Sequence, residues 1–293
     1  MRRVFLANNT NELWDMLRQY PEAAIYAGGT DLLVRMRKGI CDPSALICLE
    51  RMDCLKGVRE EGDQIFIGAC TSHTALLADP IVQRSFPVLA AAISRLGSPH
   101  IRNMGTIGGN IVTASPAGDT LPPLYILGAA VEIMSMDKTR RLSLADFIRG
   151  PGHTDLKPGE ILAGVWIKKD QPYNIFSLEK VGQRKALAIS IASLAALLRV
   201  SGEGIIEEAR LAWGSVGPTV TVSKEAESFL AGKRPEPGAL GEAARIAMDA
   251  VSPIDDVRAS KSYRRLVSGN LVLRLGASVD GNSPQPAWLP PAD

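Results

Sequence analysis

The sequence predicts an α+β protein of about two domains, and three observations predict it. The chain has 293 residues, 46% of them hydrophobic and 22% charged, the balance of a globular protein long enough to bury a substantial core. Strand-type apolar runs and helix-period segments follow one another in mixed order as far as Pro172. Beyond that point a long hairpin pattern opens the last part of the chain and helical patterns close it.

Taken in order, "NTNELWDMLRQYP" offers Asn or Thr as helix N-cap, Leu13, Met16 and Leu17 at helical spacing, and Pro21 as a stop. "AAIY" reads as a short strand, "AGGTD" as the turn after it, and "LLVRMRKG" as a helix closed by Gly39. "ALICLE" and "QIFIGAC" read as strands, and "TALLADPIVQRSFPVLAAAISRLG" as helix interrupted at Pro80 and Pro87. "GSPHIRNMGTIGGNIVTASPAGD" reads as a ligand-facing loop. "LPPLYILGAAVEIMS" is a helix or turn leading into a strand, and "EILAGVWIK" is another strand. "NIFSLEKV" alternates as a strand does, and "ALAISIASLAALLRV" and "IIEEARLAWGSV" flank the turn "SGEG" as a hairpin. "VSKEAESFLAG" and "GALGEAARIAMDAV" are helical. A final helix sets Tyr263, Leu266, Val267 and Leu271 on one side, with Arg258, Lys261, Arg264 and Arg265 elsewhere as a solvated basic face. The Pro-rich end, 281–293, reads as a loose tail. The expected division is 1–172, with subdomains of about 1–55 and 56–172, then 173–280.

Composition narrows the function. A net charge of +2 without a dense basic patch gives no footprint for nucleic acid. The most apolar run, Ala186 to Leu198, is shorter than the roughly 20 residues of a bilayer span. "MRRVFLANNT" lacks the apolar core of a secretory leader, so no membrane association is expected and a cytoplasmic location is. Cys41, Cys48, Cys54 and Cys70 make no C-x-x-C pair and read as free buried thiols. His73, His100 and His153 are too scattered for a metal site.

Two glycine pairs carry the chemistry. Gly28–Gly29 lies at a strand-to-helix turn, and Gly108–Gly109 lies in "GTIGGN", each with a threonine close by. Glycine suits a backbone against which a ligand presses, and exposed amides with hydroxyls suit a diphosphate. Asn110 could fix the loop or donate to phosphate. Asp119, acceptor-only when ionised, suits a ribityl, ribose or base donor. No G-x-G-x-x-G follows a strand, and there is no P-loop, G-x-S-x-G elbow or H-E-x-x-H. For either pair alone, a tight turn without a ligand stays open.

"IYAGGTDLLVRMRKG", "GSPHIRNMGTIGGNIVTASPAGD", "GEILAGVWI", "FSLEKVGQRKALAIS" and "RASKSYRRLV" occur in one order. Together they resemble the FAD-binding, or medium, subunit of the molybdenum hydroxylases (the xanthine dehydrogenase family), which includes carbon monoxide dehydrogenase and nicotinate or aryl-CoA oxidoreductases. The resemblance runs from about Phe5 to Leu275. It implies an FAD-binding fold of the vanillyl-alcohol oxidase (PCMH) type in two subdomains, followed by a C-terminal α+β domain of the CO dehydrogenase flavoprotein type. It also implies that the glycine stretches wrap the FAD diphosphate.

Residue by residue, the resemblance makes Ile25, Tyr26, Ala27, Gly28, Gly29, Thr30, Asp31 and Leu32 the first FAD loop, with the amides of Gly28, Gly29 and Thr30 near the diphosphate. Thr106, Ile107, Gly108, Gly109 and Asn110 form the second loop. Asp119 meets the adenosine portion, Leu96 gives an apolar contact, Leu162 a backbone contact near the adenine, Lys180 lies near the flavin, and Ser115 offers a hydroxyl. The implied partners are a small 2Fe–2S subunit and a large molybdopterin-molybdenum subunit, in a heterotrimer or a dimer of heterotrimers. Electrons reach the FAD from the 2Fe–2S clusters and leave to NAD or another acceptor, with no catalytic residue on this chain. No cysteine cluster follows Cys70, so the extra 4Fe–4S cluster of some aryl-CoA reductases is not expected. The strip "QRKALAIS" lacks the acidic residue of the animal xanthine enzymes, so their NAD contacts do not transfer. The rival readings are a self-sufficient flavin oxidoreductase of the same fold and a scaffold that has lost FAD.

Overall fold

A computed structural model describes residues 2–279; the predicted tail, 281–293, lies outside the described residues. Three sheets organise the chain. The first is parallel, β1 (Arg3–Leu6), β2 (Ala24–Tyr26) and β3 (Ala45–Cys48), in the order β1-β3-β2. The helix Thr10–Gln19 makes the crossover; Asn9 caps it by accepting the Glu12 amide, and it buries Leu13 and Trp14. The helix Leu32–Arg37 follows β2 and stops at Gly39, whose φ is +69°.

The second sheet is antiparallel and five-stranded. Its strands are β4 (Val58–Glu61), β5 (Gln64–Gly68), β6 (Ala130–Met134), β7 (Thr139–Ser143) and, after the ribbon β8 (Ile148–Gly150) and β9 (His153–Thr154), β10 (Ile161–Lys168). They pair in the order β4-β5-β10-β6-β7, so β10, buried along all but its last residue, is central. Helices pack on this sheet. Pro80 and Pro87 begin the helices Pro80–Ser85 and Pro87–Ser94 rather than merely interrupting one, because a proline in the first turn loses no hydrogen bond. The third sheet is β11 (Ile175–Val181), β12 (Ala192–Val200), β13 (Ile206–Gly214) and β14 (Thr221–Val222), consecutive and antiparallel. The helices Lys224–Leu230, Pro237–Ala250 and Lys261–Leu273 accompany it and share its core. No helix of the described residues is long and apolar enough to cross a membrane.

Four expectations change. The glycine-rich stretch is largely helical, Pro99–Met104 and Ile107–Thr113. The first hairpin strand begins at Ala192, so residues 186–191 precede it as irregular chain. Cys54 is exposed and Cys41 half-exposed, leaving only Cys48 and Cys70 as buried thiols. The solvated basic face of the last helix is wrong at Arg264, which is 2% exposed, whereas Tyr263 and Leu266 are 46% and 54% exposed. Arg264 donates to the carbonyls of Ile191 (2.7 Å) and Ser215 (2.9 Å) and to Asp256 Oδ1 (2.7 Å). A guanidinium so supplied with acceptors can be buried. Burial pushes the Asp256 carboxyl up, but hydrogen bonds from Arg258, Arg264 and the Ala259 amide outweigh it and hold the group well below the usual range.

Candidate cofactor site

A cleft of about 370 Å³ runs between the first and second sheets' elements, within the usual range for small-molecule sites. Its first wall is the turn after β2: Ile25, Tyr26, Ala27, Gly28, Gly29, Thr30, Asp31 and Leu32 all line it. Two features force glycine there. A Cβ on Gly28 would sit 1.6 Å from the Met104 carbonyl oxygen, and Gly29 has a φ of +68°, in the left-handed region that side chains disfavour. Among the described residues, the amides of Gly28, Gly29 and Thr30 donate no hydrogen bond. Amides left open in a cleft suit an anion.

The second glycine stretch behaves differently. Thr106 caps the helix Ile107–Thr113, its hydroxyl accepting the Gly109 amide at 3.1 Å. The Ile107 amide donates to the Thr71 carbonyl (3.1 Å) and the Gly108 amide to that of Ala69 (2.9 Å). These donors are therefore already engaged by the protein. Gly108 is small because a Cβ would lie 2.5 Å from the Ala69 Cβ. At Gly109 an added Cβ would meet only the Thr106 hydroxyl, at 3.1 Å, so its open side belongs to the cleft. Asn110 Oδ1 accepts the fully buried Thr120 hydroxyl at 2.6 Å, which fixes the amide and leaves its NH₂ for the cleft. The helix ends at Ala114, left-handed with φ 46°.

Leu96, Leu156, Ile161 and Leu162 give the cleft apolar walls, and Glu160, Cys70, Arg35 and His73 also line it. Arg140 holds Glu160 through a forked pair of hydrogen bonds, 2.9 and 2.7 Å, and keeps its carboxyl below the usual range. Burial pushes the Cys70 thiol up to about 12, so it is an un-ionised wall group. His73 is 2% exposed, with its Nδ1 sealed and without a hydrogen-bond partner. Burial, with help from the Arg102 charge, lowers its pKa to about 4. His73, Glu160 and Arg35 were missed by sequence reading; the sign that pointed to Gly28, a turn leading from a strand into a helix, recurs at "GACTSH" and could have found His73.

Of the predicted site residues, Ile107, Ser115, Asp119 and Lys180 are not among those lining the cleft. Ile107 is fully buried, and the Ser115 hydroxyl accepts the Ala117 amide. Asp119 and Lys180 are brought together as an ion pair at 2.7 Å, with side chains 13% and 10% exposed. Lys180 Nζ also donates to the Arg95 carbonyl at 3.1 Å. Burial raises the Asp119 pKa, and Lys180 offsets this only in part. Asp119 Oδ1 is buried and has no hydrogen-bond partner.

Known proteins match this arrangement along its length. Residues 1–167 match the model of the FAD binding domain in molybdopterin dehydrogenase, and residues 178–279 that of the CO dehydrogenase flavoprotein C-terminal domain. The nicotinate dehydrogenase FAD-subunit of Eubacterium barkeri is 33% identical over 78% of this chain and 79% of its own length. The carbon monoxide dehydrogenase medium chain of Hydrogenophaga pseudoflava is 33% identical over 86% and 88%. Among solved structures, the Cu,Mo-CO dehydrogenase superposes with a TM-score of 0.90 at 27% identity, covering 96% of this chain and 98% of that one. Quinoline 2-oxidoreductase from Pseudomonas putida 86 superposes equally well, at 0.90 and 26% identity, with the same coverage of both chains. The open amides after β2 and the apolar walls fit a dinucleotide with aromatic ends, and the chain belongs to the FAD-binding medium subunits of the molybdenum hydroxylase family of oxidoreductases.

Proposed function

We propose that this chain holds FAD with its diphosphate on the amides of Gly28, Gly29 and Thr30, and serves as the electron-transfer subunit between a 2Fe–2S partner and NAD or another acceptor. When bound, FAD supplies the change from paired to single electrons that joins such partners. The residues of this chain bind and orient it. The three open amides at the end of β2 carry the reading, because backbone donors in a cleft rarely go without an acceptor unless a ligand or water completes them. Gly109 gives the cofactor a flat surface, and the Asn110 NH₂, fixed by Thr120, points a further donor. Leu96, Leu162 and Ile161 exclude water from the rings. This reading assigns the adenosine portion to the Asp119 carboxylate, which Lys180 holds in place, and Ser115 stands close by in sequence.

The partners in this reading are a small 2Fe–2S subunit and a large subunit carrying molybdopterin-molybdenum. The relatives' names support it, since they are a medium chain and a FAD-subunit. Substrate oxidation then belongs to the large subunit. Gly109→Val tests the cofactor site. Its side chain would enter the cleft from the first turn of a helix that is otherwise packed normally. The expected result is a folded chain, by circular dichroism and thermal melt, whose flavin content after purification is at least tenfold below wild type. Normal flavin content in the variant refutes the placement.

A further inference from the structure

His73 has no role in the reading above, yet it lies in the wall of the same cleft. Its backbone is fixed. Ser72 caps the helix His73–Ala78, and the His73 amide donates to the Gly105 carbonyl at 2.9 Å. This ties the residue to the segment joining the helices Pro99–Met104 and Ile107–Thr113. The orientation of the ring follows from two observations. Nδ1 is sealed and unpartnered. Cδ2 lies on the opposite edge, 3.3 Å from where a Cβ on Gly105 would be, and the Thr30 hydroxyl lies at 3.3 Å from that same point. Gly105 and Thr30 both line the cleft, so the Cδ2–Nε2 edge is the one turned toward it.

The proton's position follows from solvation. A sealed nitrogen without an acceptor is better left as a bare lone pair than as an unsatisfied N–H, since orphaned buried donors are the rarer case. The proton of the neutral ring then sits on Nε2, facing the cleft. Its neighbours set its use. The open amides of Gly28, Gly29 and Thr30 mark where an anionic oxygen belongs, and the Thr30 hydroxyl shares the Gly105 corner with the ring. We propose that His73 is a neutral Nε2–H donor to a phosphate oxygen of the dinucleotide, completing the amide cradle of Gly28–Thr30 from the Gly105 corner. Before an anion enters the cleft, burial and the Arg102 charge hold the ring neutral at physiological pH.

The inference rests on FAD occupying this cleft, and the test separates the two. The affinities of wild type, His73→Phe and His73→Gln for FAD, for ADP and for riboflavin are measured by fluorescence quenching or calorimetry on the full chain. ADP carries the diphosphate without the flavin, and riboflavin the reverse. His73→Phe keeps a planar ring and removes the donor, while His73→Gln can place an N–H close to the position of Nε2. A hydrogen bond to a charged group predicts an approximately tenfold or greater loss for His73→Phe toward both FAD and ADP. Riboflavin affinity should be unchanged, and His73→Gln should recover most of the loss. Equal loss in both variants, or no loss toward ADP in the phenylalanine variant while wild type binds it, overturns the role of His73 and leaves the FAD site standing. Failure of the wild-type chain to bind either FAD or ADP overturns the FAD site itself. Nitrogen-15 imidazole spectra of the wild-type chain need no variant: an Nε2–H tautomer whose resonance moves on adding ADP is expected, and an Nδ1–H tautomer unaffected by ADP refutes the donor.

Discussion

At the scale of single residues, His73 makes the stability of the apoprotein depend on pH. Its pKa is lowered to about 4 by burial and Arg102, against about 6.5 in an unfolded chain. The unfolded chain therefore takes up a proton that the folded one refuses. Stability from this group is full above pH 6.5 and is lost as the pH falls toward 4. Linkage puts the loss at about 2 kcal/mol by pH 5. Urea midpoints at pH 7 and pH 5 should differ by more in wild type than in His73→Phe, and identical differences would remove His73 from the account. The residue scale is also where the sequence both informed and misled. The need for glycine at positions 28 and 29 was legible. Its reason was not, because at Gly28 and Gly108 the intruding atoms are the protein's own Met104 and Ala69, and close packing between distant segments leaves no local pattern. Asp119 and Lys180 were individually readable, but their pairing is tertiary.

At the scale of elements, the strands that sequence reading missed are all at sheet edges. β1, β4 and β7 flank their sheets, and VREE and TRRLS are largely solvated. Pairing with a neighbour, rather than an apolar face, makes them strands. The central strand β10 was readable because it is buried along nearly all its length. The helix Lys261–Leu273 shows the opposite failure. Periodicity located it, but could not say that its one buried cation, Arg264, would find acceptors on other segments. Those acceptors make Arg264 a clamp between the start of β12, the end of β13 and the loop at Asp256. Arg264→Met should strip a donor from two carbonyls and a cation from Asp256, and cost about 3–5 kcal/mol. Arg264→Lys should recover little, because an ammonium cannot reproduce the fork. Chemical denaturation of both variants measures this, and a lysine variant as stable as wild type would contradict it.

At the scale of the whole molecule, the C-terminal domain shares a buried apolar cluster with the FAD-binding domain, to which it contributes Leu178, Ala195, Leu197, Ala212 and Val220, and polar contacts cross the same junction. Lys180 meets Asp119 and the Arg95 carbonyl, Arg95 donates to the Leu178 carbonyl, and Arg210 donates to that of Ile126. Lys180→Met removes the only cation paired with Asp119 among the described residues. The pKa of Asp119 should rise further, with a destabilisation of about 3–5 kcal/mol near neutral pH that shrinks on acidification. The double variant Asp119→Asn with Lys180→Met should be more stable than Lys180→Met alone. A double variant no more stable than the single would show that the pair does not carry the junction. The overall architecture was legible through the order of the motifs, while the cleft was not, since its walls come from segments far apart in sequence.

The contact between Gly28 and the Met104 carbonyl has a consequence for how the protein is made. The turn that presents the three open amides is wedged against a helix end translated much later, so its shape is completed only after the helix Pro99–Met104 has been synthesised and docked. The cofactor thus has no finished seat on a nascent chain that ends before that helix. Flavin loading therefore belongs after the helix Pro99–Met104 has docked against that turn.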